Sequence, residues 1–326
     1  MRYIELFAGI GGMGYGLMQA GMECVGYCEI DKYAHKAFQL LHDPEERMWN
    51  AYDVRSVTDD DLRLLGDQRG PIDLIAGGFP CQAFSIAGKR KGFQDSTRGT
   101  LFFEIVRFAS ILRPKYLLLE NVTGLLSHDE GRTFETVIRT LDELGYVGEW
   151  CVLNSAAYVP QNRERVFIVA SLGGSGGRKI FPFGAENQNA INVIGRLDCY
   201  NDQNNRIYGI DGLSPTLPTM QGGGQEPKVM VVGNTNPSGN GMNGQVFDAS
   251  GLAPTLTTNK GEGNRILHRS RIRKLTPLEC FRLQSFPDEW YYTLKNNGIS
   301  DSQLYKMAGN AVTSRVAYEI GRRLTA

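Results

Sequence analysis

The segment ELFAGIGGMGYG, residues 5–16, decides the fold of this chain because it places glycines between a first apolar run and a helical pattern. A glycine turn at that point lets a ligand lie against bare backbone at the carboxyl edge of a parallel sheet. Several classes of cofactor-binding enzyme share such a turn. The segment therefore predicts a doubly wound α/β fold without selecting its chemistry.

Strand-like and helix-like patterns alternate from this turn to about residue 170. Five apolar runs have the length and composition of buried strands: 3–7, 24–28, 72–78, 116–120 and 165–171. Four helical patterns lie between them: 32–41, 59–65, 101–112 and 133–144. This alternation predicts an α/β fold with a doubly wound, mostly parallel, Rossmann-like sheet.

The composition changes near residue 178, and from there to Thr276 the chain is rich in Gly, Asn, Pro and Thr and has few helical patterns. Within it, residues 205–224 align without a gap with residues 244–263, and each copy contains Leu-Ser/Ala-Pro-Thr-Leu. Two copies are too few for a solenoid, so they predict a duplicated β-unit in a smaller, loop-rich and β-rich lobe. The duplication either only builds that lobe or forms a surface whose backbone approaches a phosphate or a base edge.

The charges are balanced overall but not along the chain. Lys and Arg number 35, as do Asp and Glu, yet acidic residues dominate 1–150 and basic residues dominate 151–326. Basic side chains concentrate in 88–93 and 260–274. These two segments are either solvated loops or contacts for nucleic acid.

Six scattered cysteines form no CxxC pair and have no histidine at zinc-finger spacing. We therefore expect free thiols, with neither a disulfide framework nor a metal site. No stretch has the roughly 20 apolar residues of a membrane span, and the first residues do not follow a signal-peptide pattern. We expect a cytoplasmic protein without a membrane partner.

Two acidic residues are placed to hold an adenosine-containing cofactor. Glu29, in YCEID at the end of the second run, can accept hydrogen bonds from both hydroxyls of a ribose. Asp53, in AYDV, is suited to an amino group of a purine. The alternative is helix capping, which Asp31 also fits. Together with the glycine turn, the two acids favour the cofactor.

Cys81 follows a strand end and the segment GGFP (77–80), where a doubly wound fold places its active site. A thiol there can act as a nucleophile when a positive neighbour lowers its pKa or when its substrate is activated. The alternative is a small buried cysteine. The stiff Pro80 and the polar Gln82 on either side favour the nucleophile.

Polar side chains also mark the next two runs. Glu120 ends its run in ENV (120–122), where a half-buried carboxyl can work as an acid. Gln161, Arg163 and Arg165 alternate along QNRERVF (161–167), at the entrance of the following strand. Alternation directs the two arginines to one face and predicts a clamp for an anion or a carbonyl.

In chain order, six motifs resemble those of the cytosine-5 DNA methyltransferases of bacteria and phages. They are ELFAGIGG (5–12), GGFPCQAFS (77–85), ENV (120–122), QNRERVF (161–167), RKLTPLECFRLQSFPDEW (273–290) and QLYKMAGNAV (303–312). The resemblance spans nearly the whole chain except about 178–268, where that family has its variable target recognition region. It implies a discontinuous catalytic and cofactor-binding domain, 1–177 with 272–326, and a target recognition domain, 178–271.

The resemblance also implies a covalent mechanism on a flipped cytosine. Cys81 would attack carbon 6, Glu120 would hold or protonate ring nitrogen 3, and Arg165, with Arg163, would contact the base carbonyl. Carbon 5 would then receive a methyl group from S-adenosyl-L-methionine. The residues at the family's cofactor-contact positions are Phe7, Ala8, Gly9, Ile10, Gly11, Gly12, Glu29, Ile30, Asp53, Val54, Gly78, Pro80, Leu101, Asn310, Ala311 and Val312.

Double-stranded DNA is the partner that the resemblance implies, with the enzyme acting as a monomer. The basic loop 83–100 would close over the flipped base and contact phosphates. The duplicated units would read the DNA sequence. The expected DNA-contacting residues are Gln82, Ser85, Lys89, Arg90, Lys91, Arg98, Thr216, Thr219, Thr255, Thr258, Lys260, Arg269 and Arg271.

Three alternatives compete with this interpretation. A Rossmann oxidoreductase accounts for the glycine turn and Glu29, but it leaves Cys81, Glu120 and the basic loop without roles. A transfer-RNA methyltransferase would use the same catalytic core, although the large inserted lobe and the basic C-terminal half favour duplex DNA. A DNA-binding protein without catalysis would need neither Cys81 nor Glu120 nor Arg165.

Overall fold

The computed structural model describes residues 1–43, 45–80, 101–173, 179–181 and 276–326, together with the backbone of seven short strands between residues 193 and 274. Two compact units share the chain. The first comprises 1–153, 165–183 and 314–326, and the second comprises 154–164 and 184–313.

A seven-stranded sheet forms the centre of the first unit, with the strand order β3-β2-β1-β4-β5-β7-β6. The strands β1 to β5 are parallel wherever they pair, and β7 runs antiparallel to β5. This confirms the predicted doubly wound, mostly parallel sheet. The strands are β1 (Arg2–Leu6), β2 (Glu23–Cys28), β3 (Trp49–Ala51), β4 (Leu74–Gly78), β5 (Tyr116–Val122), β6 (Tyr146–Asn154) and β7 (Glu164–Leu172).

The two edge strands, β3 and β6, are absent from the sequence-based prediction. β3 has only three residues, and β6 exposes Val147, Trp150 and Val152, so neither forms a buried apolar run. Edge strands pair on one side only and lack the continuous apolar pattern of central strands. Their sequences therefore do not distinguish them from loops.

Helices cover both faces of the sheet. Among the residues that the structure describes, the α-helices of this unit are α1 (Gly12–Gln19), α2 (Lys32–His42), α3 (Asp59–Arg69), α4 (Leu101–Leu112), α5 (Arg132–Glu143) and, at the C-terminus, the helix Ser314–Thr325. Ile4 and Leu6 of β1 join one buried cluster with side chains of α3, α4 and α5. Tyr3 and Glu5 alternate with them and face α1, because a Cβ on Gly14 would overlap Glu5 and approach the Tyr3 hydroxyl to 2.9 Å.

The C-terminal helix packs closely against α1. A Cβ on Gly16 would overlap the Ser314 carbonyl oxygen and lie 2.6 Å from the Tyr318 nitrogen. A Cβ on Gly321 would lie 2.9 Å from the Cβ of Ala20. These two glycines are therefore required by the close approach of two helices and not by a ligand.

The described residues of the second unit include three α-helices and two small sheets. Its helices are α6 (Pro277–Arg282), α7 (Asp288–Asn296) and α8 (Asp301–Asn310), so the helix Ser314–Thr325 is α9. A capping box formed by Thr276 and Glu279 begins α6. The predicted domains differ from the compact units, because the prediction groups 154–164 and 272–313 with the catalytic domain and 178–183 with the target recognition domain. These boundaries stay predictions.

The strands of the second unit follow the sequence repeat. One sheet contains β8 (Val193–Arg196), β9 (Arg206–Tyr208) and β10 (Lys228–Val229), and the other contains β11 (Gly233–Asn234), β12 (Gln245–Asp248), β13 (Arg265–His268) and β14 (Arg271–Lys274). The first strand of each repeat copy, β9 or β12, pairs antiparallel with the strand before it and parallel with the strand after it. The two copies therefore have the same pattern of strand pairing.

Candidate active site

Glu29 joins the glycine turn to the end of β2. Its two carboxylate oxygens accept hydrogen bonds from the backbone nitrogens of Gly9 and Asp31, both at 2.7 Å. The turn itself is compact, because Phe7, Gly9 and Gly11 all have positive φ. Through these two bonds, the Glu29 carboxylate fixes the distance between the two loops.

The glycines of the turn serve different purposes. A Cβ on Gly11 would overlap His42 and lie 2.9 Å from the Phe38 ring, so α2 packs where that side chain would be. A Cβ on Gly9, by contrast, would have no heavy atom within 4 Å. Gly9 is thus the position in this turn where the backbone is open to a ligand.

The two other acids at this edge both cap helices. Asp31 accepts hydrogen bonds from the Tyr33 and Ala34 nitrogens at the start of α2. Asp53 caps the short 3₁₀ helix Val54–Ser56, and its carboxylate also pairs with the guanidinium of Arg55. Hydrogen bonding to Arg55 holds the pKa of Asp53 below its usual range. The capping alternative therefore describes Asp31 fully and Asp53 in part.

Two large side chains remain exposed beside these acids. Ile30, next to Glu29, is 63% exposed, and Tyr52, next to Asp53, is 56% exposed. Sequence reasoning included Ile30 and missed Tyr52, whose ring stacks on His35 with the centroids 3.9 Å apart. An exposed apolar residue and an exposed aromatic ring beside acids provide a surface suited to a heteroaromatic ring.

Glu120 and Arg165 form an ion pair at the carboxyl ends of β4 and β5. The Arg165 Nε and Glu120 Oε1 atoms lie 3.1 Å apart, and each side chain is only 12% exposed. Gly78 pairs with Glu120 across the two strands, and a Cβ on Gly78 would lie 2.8 Å from Glu120 Oε2. The missing side chain of Gly78 therefore makes room for the Glu120 carboxyl.

Asn121 holds the end of β4 and was missed by sequence reasoning. Its Nδ2 donates to the Phe79 carbonyl oxygen at 2.8 Å, and its Oδ1 accepts from the Val122 nitrogen at 2.9 Å. The side chain is buried. Its position between Glu120 and Val122 was the only signal in the sequence. Asn121 fixes the backbone two residues before Cys81, which itself lies outside the described residues.

Arg163 has different partners from those of Arg165. It precedes β7 and belongs to the second unit, where its guanidinium donates to the carbonyl oxygens of Gly309 and Ala311 at 3.1 and 2.8 Å. The strand alternation predicted for 163 and 165 does not apply, because β7 begins at Glu164. Arg163 holds the connection after α8, and its predicted contact with a base carbonyl stays a prediction.

A buried hydrogen-bond chain supports the same connection within the second unit. Ser155 donates to Thr313, Thr313 donates to the Gln284 amide oxygen, and the Gln284 amide nitrogen donates to the Ala308 carbonyl oxygen, at 2.8, 2.8 and 2.9 Å. These bonds and Arg163 bracket the predicted cofactor contacts 310–312. Their proposed role toward a cofactor stays a prediction.

The remaining predicted positions fall into three groups, according to how much of each residue the structure describes. Ala8, Ile10, Gly12, Val54, Pro80 and Leu101 are described, and they lie in the glycine turn, after Asp53, at the end of β4 and at the start of α4. Arg271 lies in β14, of which only the backbone is described. The other predicted DNA contacts, like Cys81, fall outside the described residues: Gln82, Ser85, Lys89, Arg90, Lys91, Arg98, Thr216, Thr219, Thr255, Thr258, Lys260 and Arg269.

The described cysteines are free thiols without the features of a nucleophile. They are Cys24, Cys28, Cys151 and Cys280. Burial raises the pKa of Cys24 and of Cys280 to about 12 and also raises that of Cys28. Thiols with raised pKa values are poor nucleophiles. In the part of the chain that the structure describes, no helix is long and apolar enough to cross a membrane.

The sheet order, the glycine turn after β1 and the acid after β2 define a Rossmann-like methyltransferase fold. Two solved structures share this fold over nearly the whole chain. The S. pombe Dnmt2 methyltransferase matches with a TM-score of 0.65 at 19% identity, covering 100% of this chain and 98% of that one. The Entamoeba histolytica methyltransferase EhMeth matches with a TM-score of 0.61 at 18% identity, covering 99% and 97%.

The chain belongs to the C-5 cytosine-specific DNA methylase family, whose model matches residues 1–326. This confirms the resemblance seen in the motifs. The type II methyltransferase M.HhaI of Haemophilus parahaemolyticus is 33% identical over 99% of this chain and 95% of its own length. The type II methyltransferase M.Eco47II of Escherichia coli is 34% identical over 98% and 77%. The orphan methyltransferase M.SPRI of Bacillus phage SPR is 32% identical over 99% and 97%.

Proposed function

We propose that this chain is an S-adenosyl-L-methionine-dependent DNA (cytosine-5-)-methyltransferase that modifies a cytosine within a defined sequence of double-stranded DNA. The observation that carries the proposal is the Glu120–Arg165 pair, held between β5 and β7 at the sheet edge where β4 leads to Cys81. A carboxyl oriented by a guanidinium suits the amidine-like edge of cytosine. Membership of the C-5 cytosine-specific family supports the same substrate.

The residues at the ends of β1, β2 and β3 fit S-adenosyl-L-methionine, which supplies the methyl group. Gly9 leaves open space beside the backbone, and Glu29 and Asp53 provide carboxylates at neighbouring loops. The exposed Ile30 and Tyr52 offer a surface for the adenine ring. A carboxylate oxygen can accept more than one hydrogen bond, so Glu29 is suited to the ribose hydroxyls.

The chain's own groups would act on the cytosine before and after the transfer of the methyl group. The Cys81 thiolate adds to carbon 6 while Glu120 holds a proton at ring nitrogen 3, so that the electron pair reaches carbon 5. Arg165 would orient Glu120, with which it forms an ion pair, and together with Arg163 would contact the base carbonyl. After carbon 5 has been methylated, it loses its proton and the electron pair of that C–H bond expels Cys81, which restores the thiolate and the aromatic ring.

The base must leave the duplex for this chemistry to occur. Flipping a stacked cytosine costs about a few kcal/mol, and binding of the phosphate backbone by basic side chains offsets that cost. The basic loop 83–100 and the duplicated units 205–224 and 244–263 have the composition for these contacts. We assign loop closure to the former and sequence recognition to the latter.

The relatives suggest the biological setting. Two are named type II methyltransferases and one is named an orphan methyltransferase of a phage. We propose that this chain acts as a cytoplasmic, monomeric modification enzyme, either beside a restriction endonuclease or as an orphan.

One experiment tests the reaction and its specificity together. The full chain is incubated with unmethylated genomic DNA and S-adenosyl-L-methionine, and methylcytosine is then mapped at base resolution. We expect new 5-methylcytosine at one short recurring sequence. In a parallel incubation with transfer RNA, methylation of that RNA and not of the DNA would show that transfer RNA is the substrate. No methyl transfer to either, beside an active control enzyme, would refute the proposal.

A further inference from the structure

Helix α2 contacts the glycine turn through a histidine in its last turn. The His42 Nε2 lies 2.9 Å from the Ile10 carbonyl oxygen. The ring packs on Phe38, with the centroids 4.6 Å apart, and occupies the space that a Cβ on Gly11 would need. A carbonyl oxygen only accepts, so His42 donates from Nε2.

A second histidine of α2 contacts the other cofactor loop. His35 lies seven residues, or about two helical turns, before His42, so both rings leave the same side of the helix. The His35 Nδ1 lies 3.2 Å from the Glu29 carbonyl oxygen, and its ring stacks on Tyr52. The side chain is buried. His35 therefore connects the backbone of Glu29 to the exposed ring beside Asp53.

The two histidines are neutral under ordinary conditions. Burial lowers the pKa of His42 to about 4 and also lowers the pKa of His35. A neutral imidazole has one N–H, and the two carbonyl contacts assign it to Nε2 in His42 and to Nδ1 in His35. Each ring thus uses its single donor on a backbone carbonyl of a loop that carries predicted cofactor contacts.

We propose that His42 and His35 are positioning residues for cofactor binding, which they control by holding the Ile10 and Glu29 backbones at a fixed separation. This inference rests on the proposed function. The Glu29 carboxylate, which accepts from the Gly9 nitrogen, joins the same two loops directly. Neither histidine is assigned a contact with the reacting atoms, so their loss weakens cofactor binding and spares the chemical step.

The test compares variants that keep or remove the donor at each site. His42→Gln retains an N–H near Nε2, whereas His42→Leu removes it at similar volume. Titration calorimetry of the full chain with S-adenosyl-L-methionine should give a Kd about 5- to 10-fold higher for His42→Leu, the loss of one neutral hydrogen bond. His42→Gln should stay within about 3-fold, and kcat at saturating cofactor should stay within about 2-fold for both.

His128→Leu is the matched control. Its Nδ1 hydrogen bonds with the Thr133 hydroxyl near the start of α5, at 2.7 Å, and serves no cofactor loop. The Kd of His128→Leu for S-adenosyl-L-methionine should equal that of the wild type. If His42 had a purely structural role, both variants would lower the unfolding midpoint, and His42→Gln and His42→Leu would have the same Kd for S-adenosyl-L-methionine. That result would contradict the inference.

The outcomes distinguish a failure of the proposed histidine role from a failure of the proposed function. A wild type that methylates DNA and binds cofactor, with an unchanged Kd in His42→Leu, overturns the inference alone. A wild type that binds no S-adenosyl-L-methionine overturns the proposed function and this inference with it. If His42→Leu does not fold, the pair His35→Asn and His35→Phe decides, since Asn keeps a donor near Nδ1 and Phe does not. Equal Kd values for that pair overturn the proposal.

Discussion

The carboxyl edge of the sheet has two parts that are stabilised in different ways. We call them the cofactor edge, at the ends of β1 to β3, and the cytosine edge, at the ends of β4 and β5, after the ligands that the proposed function gives them. At the ends of β1 to β3, Glu29, His35 and His42 each bond to backbone groups of the loops. At the ends of β4 and β5, a side chain pairs with a side chain, Glu120 with Arg165, in a largely buried position. The first part keeps loops in place, and under the proposed function the second presents a charge-assisted carboxyl to the base.

This difference predicts separable defects. A ligand held through fixed loops should lose affinity when a loop contact is removed, while the chemical step stays intact. A carboxyl that acts on the reacting base should lose turnover when it is neutralised, with the affinity for the cofactor unchanged. The changes below test that separation, beginning with the one expected to be largest.

Replacing the proposed nucleophile should have the largest effect. Cys81→Ala should lower the rate of methyl transfer by at least about 1,000-fold, because no covalent bond to carbon 6 can form. Binding of DNA and of S-adenosyl-L-methionine, measured by gel shift and calorimetry, should remain. Cys151→Ala, at a thiol of β6, serves as the control and should keep full activity. Substantial transfer by Cys81→Ala would refute the covalent mechanism.

Neutralising the carboxyl of the ion pair should come next. Glu120→Gln should lower kcat by about 100-fold or more, since a positioned acid contributes on that order. The Kd for the cofactor should not change, because the cofactor edge keeps its own bonds. Single-turnover transfer of labelled methyl measures the first quantity and calorimetry the second. Glu135→Gln, at an exposed position of α5, should behave as the wild type. A raised cofactor Kd in Glu120→Gln would break the comparison.

The corresponding change at the cofactor edge is expected to alter the affinity for the cofactor and to leave turnover nearly unchanged. Glu29→Gln weakens two short bonds to backbone nitrogens and removes the charge toward the ribose. The Kd for S-adenosyl-L-methionine should rise by about 10- to 100-fold, the range for hydrogen bonds to a charged group. At saturating cofactor, kcat should fall by less than about 3-fold. A fall in kcat as large as that of Glu120→Gln would show that the two edges are not separable.

The smallest effect concerns stability and pH at Glu5, beneath the glycine turn. Burial raises the pKa of this carboxyl to about 8, and its 2% exposed side chain faces α1. Between its ordinary pKa, near 4.5, and about 8, the folded chain keeps a proton that the unfolded chain releases. Its contribution to stability therefore falls as the pH rises through that window.

Glu5→Gln should remove this dependence. Between pH 6 and pH 9, the unfolding midpoint of the wild type should fall by a few degrees more than that of Glu5→Gln. Thermal melts followed by circular dichroism measure the difference between the two slopes, in which other titrating groups cancel. Parallel slopes would mean that Glu5 ionises normally in the folded chain.

Several parts of the fold and site followed from local sequence. Glu29 and Glu120 were identifiable because each ends a buried apolar run, and parallel strands bring their carboxyl ends to one edge. The motif series also identified the family, which the comparison across residues 1–326 confirmed. Periodicity and strand-end position are properties of neighbouring residues, so no long-range contact had to be known.

Other parts depended on contacts that local sequence does not specify. Asn121 and Phe79 are 42 positions apart, and His42 and Ile10 are 32 positions apart. Arg163 illustrates the limit most clearly, because its carbonyl partners lie 146 and 148 positions away. Nothing within QNRERVF distinguishes an arginine that meets a carboxylate from one that meets a helix end.

The sequence by itself therefore determined the five inner strands of the sheet, the order of the motifs and the residue types at the strand ends. These follow from hydrophobic burial and from the alternation of strand and helix. Only the tertiary structure decided which glycine is open to a ligand, which arginine pairs with Glu120 and which helix holds the two cofactor loops. Those outcomes depend on which backbone groups meet when the chain is packed, and hydrogen bonds form only between groups that packing has brought within about 3 Å.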